Sequence, residues 1–133
     1  MPFVNVKLIK EQIFKEKKIQ IIEGLTDLVV NIMNRERSLT TIVIDEIEHD
    51  SWAIGGRVIE PQKDFVSFVN IKVSIGTTDS EEMSTMMRET KRLMASILEN
   101  HVEENYFIID ELNPSGWGFD GVSMTERSKI DKS

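Results

Sequence analysis

Apolar and polar residues alternate at the very start of the chain, where residues 3–8 read FVNVKL. This period of two predicts a strand with one buried face. From about Lys15 to Asn34 the apolar residues recur at intervals of three and four, as they do in an amphipathic helix. The next segment, TTIVIDEI at 40–47, is rich in β-branched residues and predicts a second strand. Strand, helix and strand therefore follow one another in the first half of the chain.

The same order recurs 65 positions later without a gap. The matching segments are FVNVK (3–7) with FVNIK (68–72), VIDEI (43–47) with IIDEL (108–112), and SWAIGG (51–56) with GWGFDG (116–121). Between the two strands of the second copy, apolar residues at helical spacing run from Met83 to Leu98, and Thr78 with Glu81 three residues later predicts the N-cap of this helix. Identities that cluster at matched element ends indicate an internal duplication. We predict a first unit at 1–60, a linker at 61–67 and a second unit at 68–133.

Each strand–helix–strand unit predicts a right-handed crossover between two parallel strands. Two such units can share one four-stranded sheet with both helices on the same face, which is an α+β fold. The other face of the sheet would remain partly apolar, and an uncovered apolar face is an association surface. The pattern therefore predicts an oligomer.

Composition narrows the classes of function. The chain of 133 residues has a formal net charge of −7, which argues against nucleic acid and anionic membranes as partners. It contains no cysteine, so a disulfide framework and a thiolate metal site are excluded. His49 and His101 are not accompanied by acidic residues at metal-ligand spacing, and we predict no metal site. No apolar run is long enough for a membrane span, and the first ten residues lack the apolar core of a signal peptide. The absence of cysteine fits a reducing compartment, so we expect a cytoplasmic protein.

A proline directly before the first strand, an amphipathic helix, VIDEI and then SWAIGG form a combination that resembles the 4-oxalocrotonate tautomerase group of the tautomerase superfamily. The resemblance covers Pro2 to Gly56 and is fainter in the second copy. The whole chain is similar to a fused, tandem form of that group. Single-copy members assemble as three dimers, so the resemblance implies a homotrimer of fused chains.

The resemblance also implies a mechanism. Once Met1 is removed, Pro2 carries a free secondary amine, and burial in an apolar pocket lowers the pKa of such an amine. Pro2 would then act as general acid and base in the keto–enol conversion of a small 2-hydroxy-enoate or aryl-enolpyruvate, without a cofactor or a metal. Ser67 takes the place of this proline in the second copy. Its nitrogen is acylated and not basic, so the second copy is expected to be silent.

The best-known members of the group bind a dicarboxylate with two arginines, and this chain has neither of them. Gln12 or Ile13, and Thr41 or its neighbours, occupy the corresponding positions. Arg35 and Arg37 lie in the preceding loop and are candidate replacements or ordinary exposed residues. Because bidentate recognition of carboxylates needs the guanidinium fork, a monocarboxylate is the better guess for the substrate.

Three aromatic residues complete the set of candidate substrate contacts. Trp52 resembles the pocket aromatic of the family, Trp117 is its counterpart in the second copy, and Tyr106 lies at a strand start. Each of them has a purely structural alternative, in the core, at an interface or at a sheet edge. Two other functions also stay open: a catalytically silent assembly or binding module, and a hydratase or dehalogenase of a small unsaturated acid.

Overall fold

The computed structural model describes residues 2–131, with the side chains of residues 2–129. Three short 3-10 turns lie at Lys10–Gln12, Arg37–Leu39 and His49–Ser51. The strands and helices, in chain order, are β1 (Phe3–Ile9), α1 (Lys15–Ile32), β2 (Thr41–Ile47), β3 (Ala53–Ile54), β4 (Arg57–Val58), β5 (Ser67–Ser74), α2 (Ser80–Ile97), β6 (Tyr106–Leu112), β7 (Gly118–Phe119), β8 (Val122–Ser123) and α3 (Met124–Asp131).

The predicted four-stranded sheet is confirmed, with the strand order β2-β1-β5-β6. Each unit contributes one parallel pair, β1 with β2 and β5 with β6. The two units meet through β1 and β5, which are antiparallel, so that Phe3 lies opposite Lys72. Because the central strands run in opposite directions, the start of β1 lies beside the end of β5. The ends of the two long strands of each unit therefore lie beside the starts of the two long strands of the other unit.

Both long helices cover the same face of the sheet, as predicted. The apolar positions of the strands are buried beneath them, which confirms the alternation seen in FVNVKL. Burial of each large aliphatic side chain contributes about 1.5–3 kcal/mol, so this single layer dominates the stability of the chain. The fully buried core residues include Val4, Val6, Leu8, Ile21, Leu25, Val29, Ile71, Val73, Met86 and Met94.

The opposite face of the sheet is left open by the described residues, and it is built as a pair of matching polar clusters. Asn5 Nδ2 and Lys7 Nζ donate to the Asp45 carboxylate at 3.0 and 2.9 Å. In the second unit, Asn70 and Lys72 each donate to Asp110 at 2.9 Å. The two units thus share this aspartate-centred cluster as well as their strand order.

The ends of the helices follow local rules. Asn34, just beyond α1, has a φ of 57°, the left-handed conformation in which asparagine commonly ends a helix. Thr78 is the N-cap expected from the spacing of Thr78 and Glu81, and this expectation is wrong by one residue. The N-cap of α2 is Asp79, whose side chain accepts a hydrogen bond from the Glu82 N–H at 2.8 Å. Thr78 instead donates to the Glu82 carboxylate.

In each unit, a hairpin with a two-residue turn follows the second long strand. Gly55 and Gly56 turn the first hairpin, β3–β4, and Asp120 and Gly121 turn the second, β7–β8. All four residues have positive φ, as a type I′ turn requires. Within the described residues, no helix is both long and apolar enough to cross a bilayer.

Candidate functional site

A cavity of about 310 Å³ lies at the start of β1, with the buried residue Pro2 in its wall. The first unit contributes the start of its two strands and the turn before β2. The second unit contributes the ends of its two strands, the β7–β8 hairpin and the start of α3. The lining residues are Pro2, Phe3, Ser38, Leu39 and Thr41 from the first unit and Lys72, Leu112, Trp117, Gly118, Phe119 and Met124 from the second.

The directions of the strands explain why residues of both units line this cavity. The start of β2 lies beside the start of β1 because these strands are parallel, which brings Thr41 next to Pro2. The ends of β5 and β6 reach the same place because β5 is antiparallel to β1. The cavity is therefore shared between the two units of a single chain.

Its walls are mainly apolar and are fixed by hydrogen bonds behind them. Trp117 Nε1 donates to Ser74 Oγ at 3.0 Å, which holds the indole against the end of β5. The Arg127 guanidinium of α3 stacks on the Phe119 ring at 3.4 Å and donates to the Phe119 carbonyl at 2.8 Å. Gly118, between these aromatic residues, has no room for a side chain, since a Cβ would lie 2.1 Å from the Val122 carbonyl oxygen. The hairpin thus presents two aromatic rings in defined positions.

The polar groups of the cavity are few. The lining residues with polar side chains are Ser38, Thr41 and Lys72. Lys72 Nζ donates to Asp110 Oδ2 at 2.9 Å and to Asn70 Oδ1 at 2.8 Å. Hydrogen bonds from Lys72 and Asn70 hold the pKa of Asp110 below its ordinary range, so this carboxylate stays ionised beside the ammonium group.

Of the eight residues singled out from the sequence, Pro2, Thr41 and Trp117 line this cavity together. The arginines and Gln12 are engaged elsewhere. Gln12 is buried; its Nε2 donates to the carbonyls of Pro61 and Asp64, and its Oε1 accepts from the Val66 N–H. These bonds attach the segment between the two units to the end of β1.

Arg35 and Arg37 both have protein partners. Arg35 donates to the Thr77 carbonyl at 2.9 Å and to the Thr77 hydroxyl at 3.0 Å, which ties the end of α1 to the loop after β5. Burial lowers the pKa of Arg35. Arg37 forms an ion pair with Asp27 on α1. Neither arginine lines the cavity at Pro2, and their role as substrate contacts stays a prediction.

The two remaining residues, Trp52 and Tyr106, lie at the opposite end of the central strand pair. They share a cavity of about 240 Å³ with Ser67, Phe68 and Glu104. An adjoining cavity of about 340 Å³ contains Trp52 and Lys7. These positions are the equivalents, 65 residues away, of those around Pro2. In one chain the tryptophan that lines the Pro2 cavity is thus Trp117, and contact between Trp52 and a Pro2-bound substrate stays a prediction that requires another chain.

Ser67 itself is buried and belongs to a hydrogen-bonded row. Its Oγ lies 2.8 Å from His101 Nε2, and His101 Nδ1 lies 2.8 Å from Lys91 Nζ. Burial, followed by the charge of Lys91, lowers the pKa of His101 to about 4, so the ring is neutral near pH 7. Because an ammonium group can only donate, Nδ1 accepts from Lys91 and the ring proton lies on Nε2, facing Ser67. In this tautomer His101 cannot take a proton from Ser67, and the row is not a nucleophile–base pair.

The main residue that the sequence reasoning missed is Lys72. The signal was present in FVNIK, because Phe68, Asn70 and Lys72 share one face of a strand. Placing Lys72 next to Pro2, however, requires the antiparallel pairing of β1 with β5. The described residues contain no group of three or more histidine, aspartate or glutamate side chains arranged to hold a metal ion.

Three comparisons bear on this site. A family profile described as "Tautomerase enzyme" matches residues 2–62. A protein of Dickeya dadantii named probable tautomerase K2 is 38% identical over 63 residues, which make up 47% of this chain and 94% of that protein.

Solved structures match nearly the whole chain. A fused 4-OT described as a wild-type symmetric trimer has a TM-score of 0.82 at 14% identity, over 94% of this chain and 98% of the other. N1, a member of the cis-3-chloroacrylic acid dehalogenase family, has a TM-score of 0.81 at 15% identity, over 98% of this chain and 88% of its own. At these identities the similarity shows the fold alone.

Proposed function

The chain belongs to the tautomerase family of enzymes, and from this premise we propose that it is a keto–enol tautomerase in which Pro2 is the general acid and base. Removal of Met1 leaves Pro2 with a free secondary amine. The observation that carries the proposal is the placement of Pro2 in the wall of a largely apolar cavity of ligand size. A molecule bound in this cavity would lie next to Pro2.

The surroundings of Pro2 suit a base. An apolar wall disfavours the charged form of the amine. This effect would bring the pKa of the amine closer to neutrality, where proton transfer in both directions is efficient. The Pro2 nitrogen would take the proton of an enol hydroxyl and return a proton to the other carbon of the enol double bond. The product is the keto isomer, with no change in composition or oxidation state.

The cavity favours a substrate with one apolar part. Trp117, Phe119 and Leu39 offer aromatic and aliphatic surface, whereas the polar groups are confined to Ser38, Thr41 and Lys72. An aryl-enolpyruvate combines a ring, an enol and a single carboxylate. We take it as the better representative of the substrate class than a dicarboxylate, which needs two cationic contacts.

Hydration or dehalogenation is the second candidate, because the fold also occurs in a dehalogenase family. Addition of water needs a group that positions or deprotonates the water molecule. No carboxylate lines the Pro2 cavity among the residues that the structure describes. This lining favours tautomerisation, which needs no water.

The experiment uses the intact mass of the purified protein, which establishes whether Met1 is absent, and the rate of ketonisation of phenylenolpyruvate. Pro2→Ala is expected to lower kcat/KM by about 100-fold or more, the usual contribution of a general acid–base group. Ser67→Ala, the matched change in the second unit, should leave the rate unchanged. Processed protein without activity, or activity indifferent to Pro2→Ala, would contradict the proposal.

We also propose that three chains assemble through the open face of the sheet. Phe3, Val43 and Ile108 on this face are 38–40% exposed in one chain, and burial of such apolar residues favours association. Sedimentation equilibrium should give three times the mass of one chain. A monomer would contradict this assembly.

A further inference from the structure

We propose that Lys72, a residue of the unit that lacks the proline, binds the substrate carboxylate at the Pro2 site. The inference rests on the proposed function and deepens it. It means that the second unit is not merely a structural copy, because it contributes the charge that a site without the family's arginines requires.

The position of Lys72 follows from the pairing of β1 with β5. Lys72 lies opposite Phe3, the residue next to Pro2, and both are among the residues that line the cavity. Among the lining residues that the structure describes, Lys72 is the only one with a charged side chain. A carboxylate bound in this cavity therefore has one cationic partner. This partner lies on the neighbouring strand, opposite the residue that follows the proposed base.

The contacts of Lys72 leave it able to bind a ligand. An ammonium group has three N–H donors, and two acceptors, Asp110 and Asn70, contact Nζ within the described part of the chain. One donor thus remains for a ligand. The two existing bonds fix the direction of the side chain, so less conformational entropy is lost on binding than for an unrestrained lysine.

The arrangement also sets the class of ligand. A lysine is a point charge that serves one carboxylate, whereas a second carboxylate would face the apolar walls formed by Trp117, Phe119 and Leu112. With the carboxylate on Lys72 and the enol beside Pro2, the remaining group of the substrate contacts these walls. The site is therefore predicted to select monocarboxylates with an apolar substituent.

The first unit provides a matched control. Lys7 forms the same ion pair with Asp45, at the same distance of 2.9 Å, as Lys72 forms with Asp110. Lys7 lines a cavity that contains Trp52 and does not contain Pro2. Lys7→Met and Lys72→Met therefore remove equivalent ion pairs from opposite ends of the sheet.

The test is isothermal titration calorimetry with cinnamate, an aryl monocarboxylate that has no enol to convert, and with its neutral amide, cinnamamide. Lys72→Met is expected to weaken cinnamate binding by about tenfold or more and to leave cinnamamide binding unchanged. Lys72→Arg should retain most of the affinity for cinnamate, and Lys7→Met should retain all of it. Steady-state kinetics should show the loss in Lys72→Met mainly in the KM for phenylenolpyruvate.

Three results would overturn the inference: equal cinnamate affinity in Lys72→Met and the unchanged protein, an equal loss of both ligands in Lys72→Met, or no cinnamate binding by the unchanged protein. The binding data stand apart from turnover. Cinnamate binding that depends on Lys72 in a protein without Pro2-dependent activity would support carboxylate binding by Lys72 and contradict the proposed reaction. Pro2-dependent turnover with an unchanged KM in Lys72→Met would support the proposed reaction and contradict carboxylate binding by Lys72.

Discussion

The cavity at Pro2 and the surface at Ser67 occupy equivalent places in the two units of one chain. Both lie at the start of a central strand, and both face the hairpin of the other unit, with Trp117 at the first and Trp52 at the second. Both ends of the sheet also carry a lysine paired with an aspartate. The scaffold around the two places is therefore nearly the same.

The differences between them lie in a few side chains. Leu39 of the Pro2 cavity corresponds to Glu104 at Ser67, so a carboxylate replaces an apolar wall. Pro2 and Lys72 line one cavity, whereas Ser67 and Lys7 line two separate ones. The Ser67 hydroxyl is already bonded to His101. The duplicated fold thus keeps a similar arrangement at both ends of the sheet, although the side chains that line the two places differ.

The largest effect that separates the two ends is expected from Gly118. Gly118→Ala places a Cβ 2.1 Å from the Val122 carbonyl oxygen, so the β7–β8 hairpin must shift and move both aromatic walls of the Pro2 cavity. We expect kcat/KM to fall by about 100-fold, as small displacements of positioning groups often cause. The control is Ala53→Gly at the same place of the other hairpin, which should stay within about twofold. Full activity in Gly118→Ala would show that the hairpin does not shape the site.

A smaller effect is expected from the two tryptophans. Trp117→Ala removes apolar surface beside Pro2 and should raise the KM for phenylenolpyruvate by about tenfold. Trp52→Ala changes only the equivalent surface at Ser67 and should leave the KM unchanged. If Trp52→Ala raised the KM and Trp117→Ala did not, the pocket would be completed by another chain and not by the second unit.

The smallest effect concerns the stability of the Ser67 end. The pKa of His101 is about 4 in the folded chain, against an ordinary value of 6.5. Below about pH 6.5 the unfolded chain therefore binds a proton that the folded chain does not, and stability falls as the pH is lowered towards 4. Thermal unfolding at pH 7 and pH 5 should show this loss, and His101→Gln should reduce it. His49→Gln, which changes the other histidine, should leave it in place.

An unchanged pH dependence of stability in His101→Gln would contradict this account of the Ser67–His101–Lys91 row. Asp45 and Asp110 do not interfere in this range. Hydrogen bonds from neighbouring side chains lower the pKa of both carboxyls, so their contribution to stability is lost only at more acidic pH.

Local patterns in the sequence were sufficient to predict the four long strands, the two long helices and the shared sheet. The alternation of apolar and polar residues in FVNVK and FVNIK indicates which face of each strand is buried. A parallel strand–helix–strand unit has essentially one handedness, which limits how the two strands can be connected. The proline at position 2 and the stretch from Trp52 to Gly56 carry the family resemblance. The N-cap of α2 was misplaced because Thr78 and Asp79 are both good caps, and only the backbone decides between them.

The composition of the site was less predictable, because it depends on how the two units join. No local pattern predicts that β1 and β5 are antiparallel. This pairing, however, brings Lys72 and Trp117 to Pro2, and it places Trp52 at the other end of the sheet. Gln12 and Arg35 were candidates by position along the chain. Their hydrogen bonds to Asp64 and Thr77 span more than 40 residues, and sequence spacing does not reveal such partners.

The most direct test of the difference between the two ends is covalent labelling with an acetylenic 2-oxo acid at neutral pH. Conjugate addition joins the amine nitrogen to the alkyne carbon and transfers a proton to the neighbouring carbon, so only an unprotonated amine in a binding cavity reacts readily. We predict one adduct per chain, located by peptide mass spectrometry on Pro2, slowed by cinnamate and proportional to the loss of tautomerase activity. An adduct in the segment around Ser67, or an unlabelled Pro2 in protein that lacks Met1, would contradict the account.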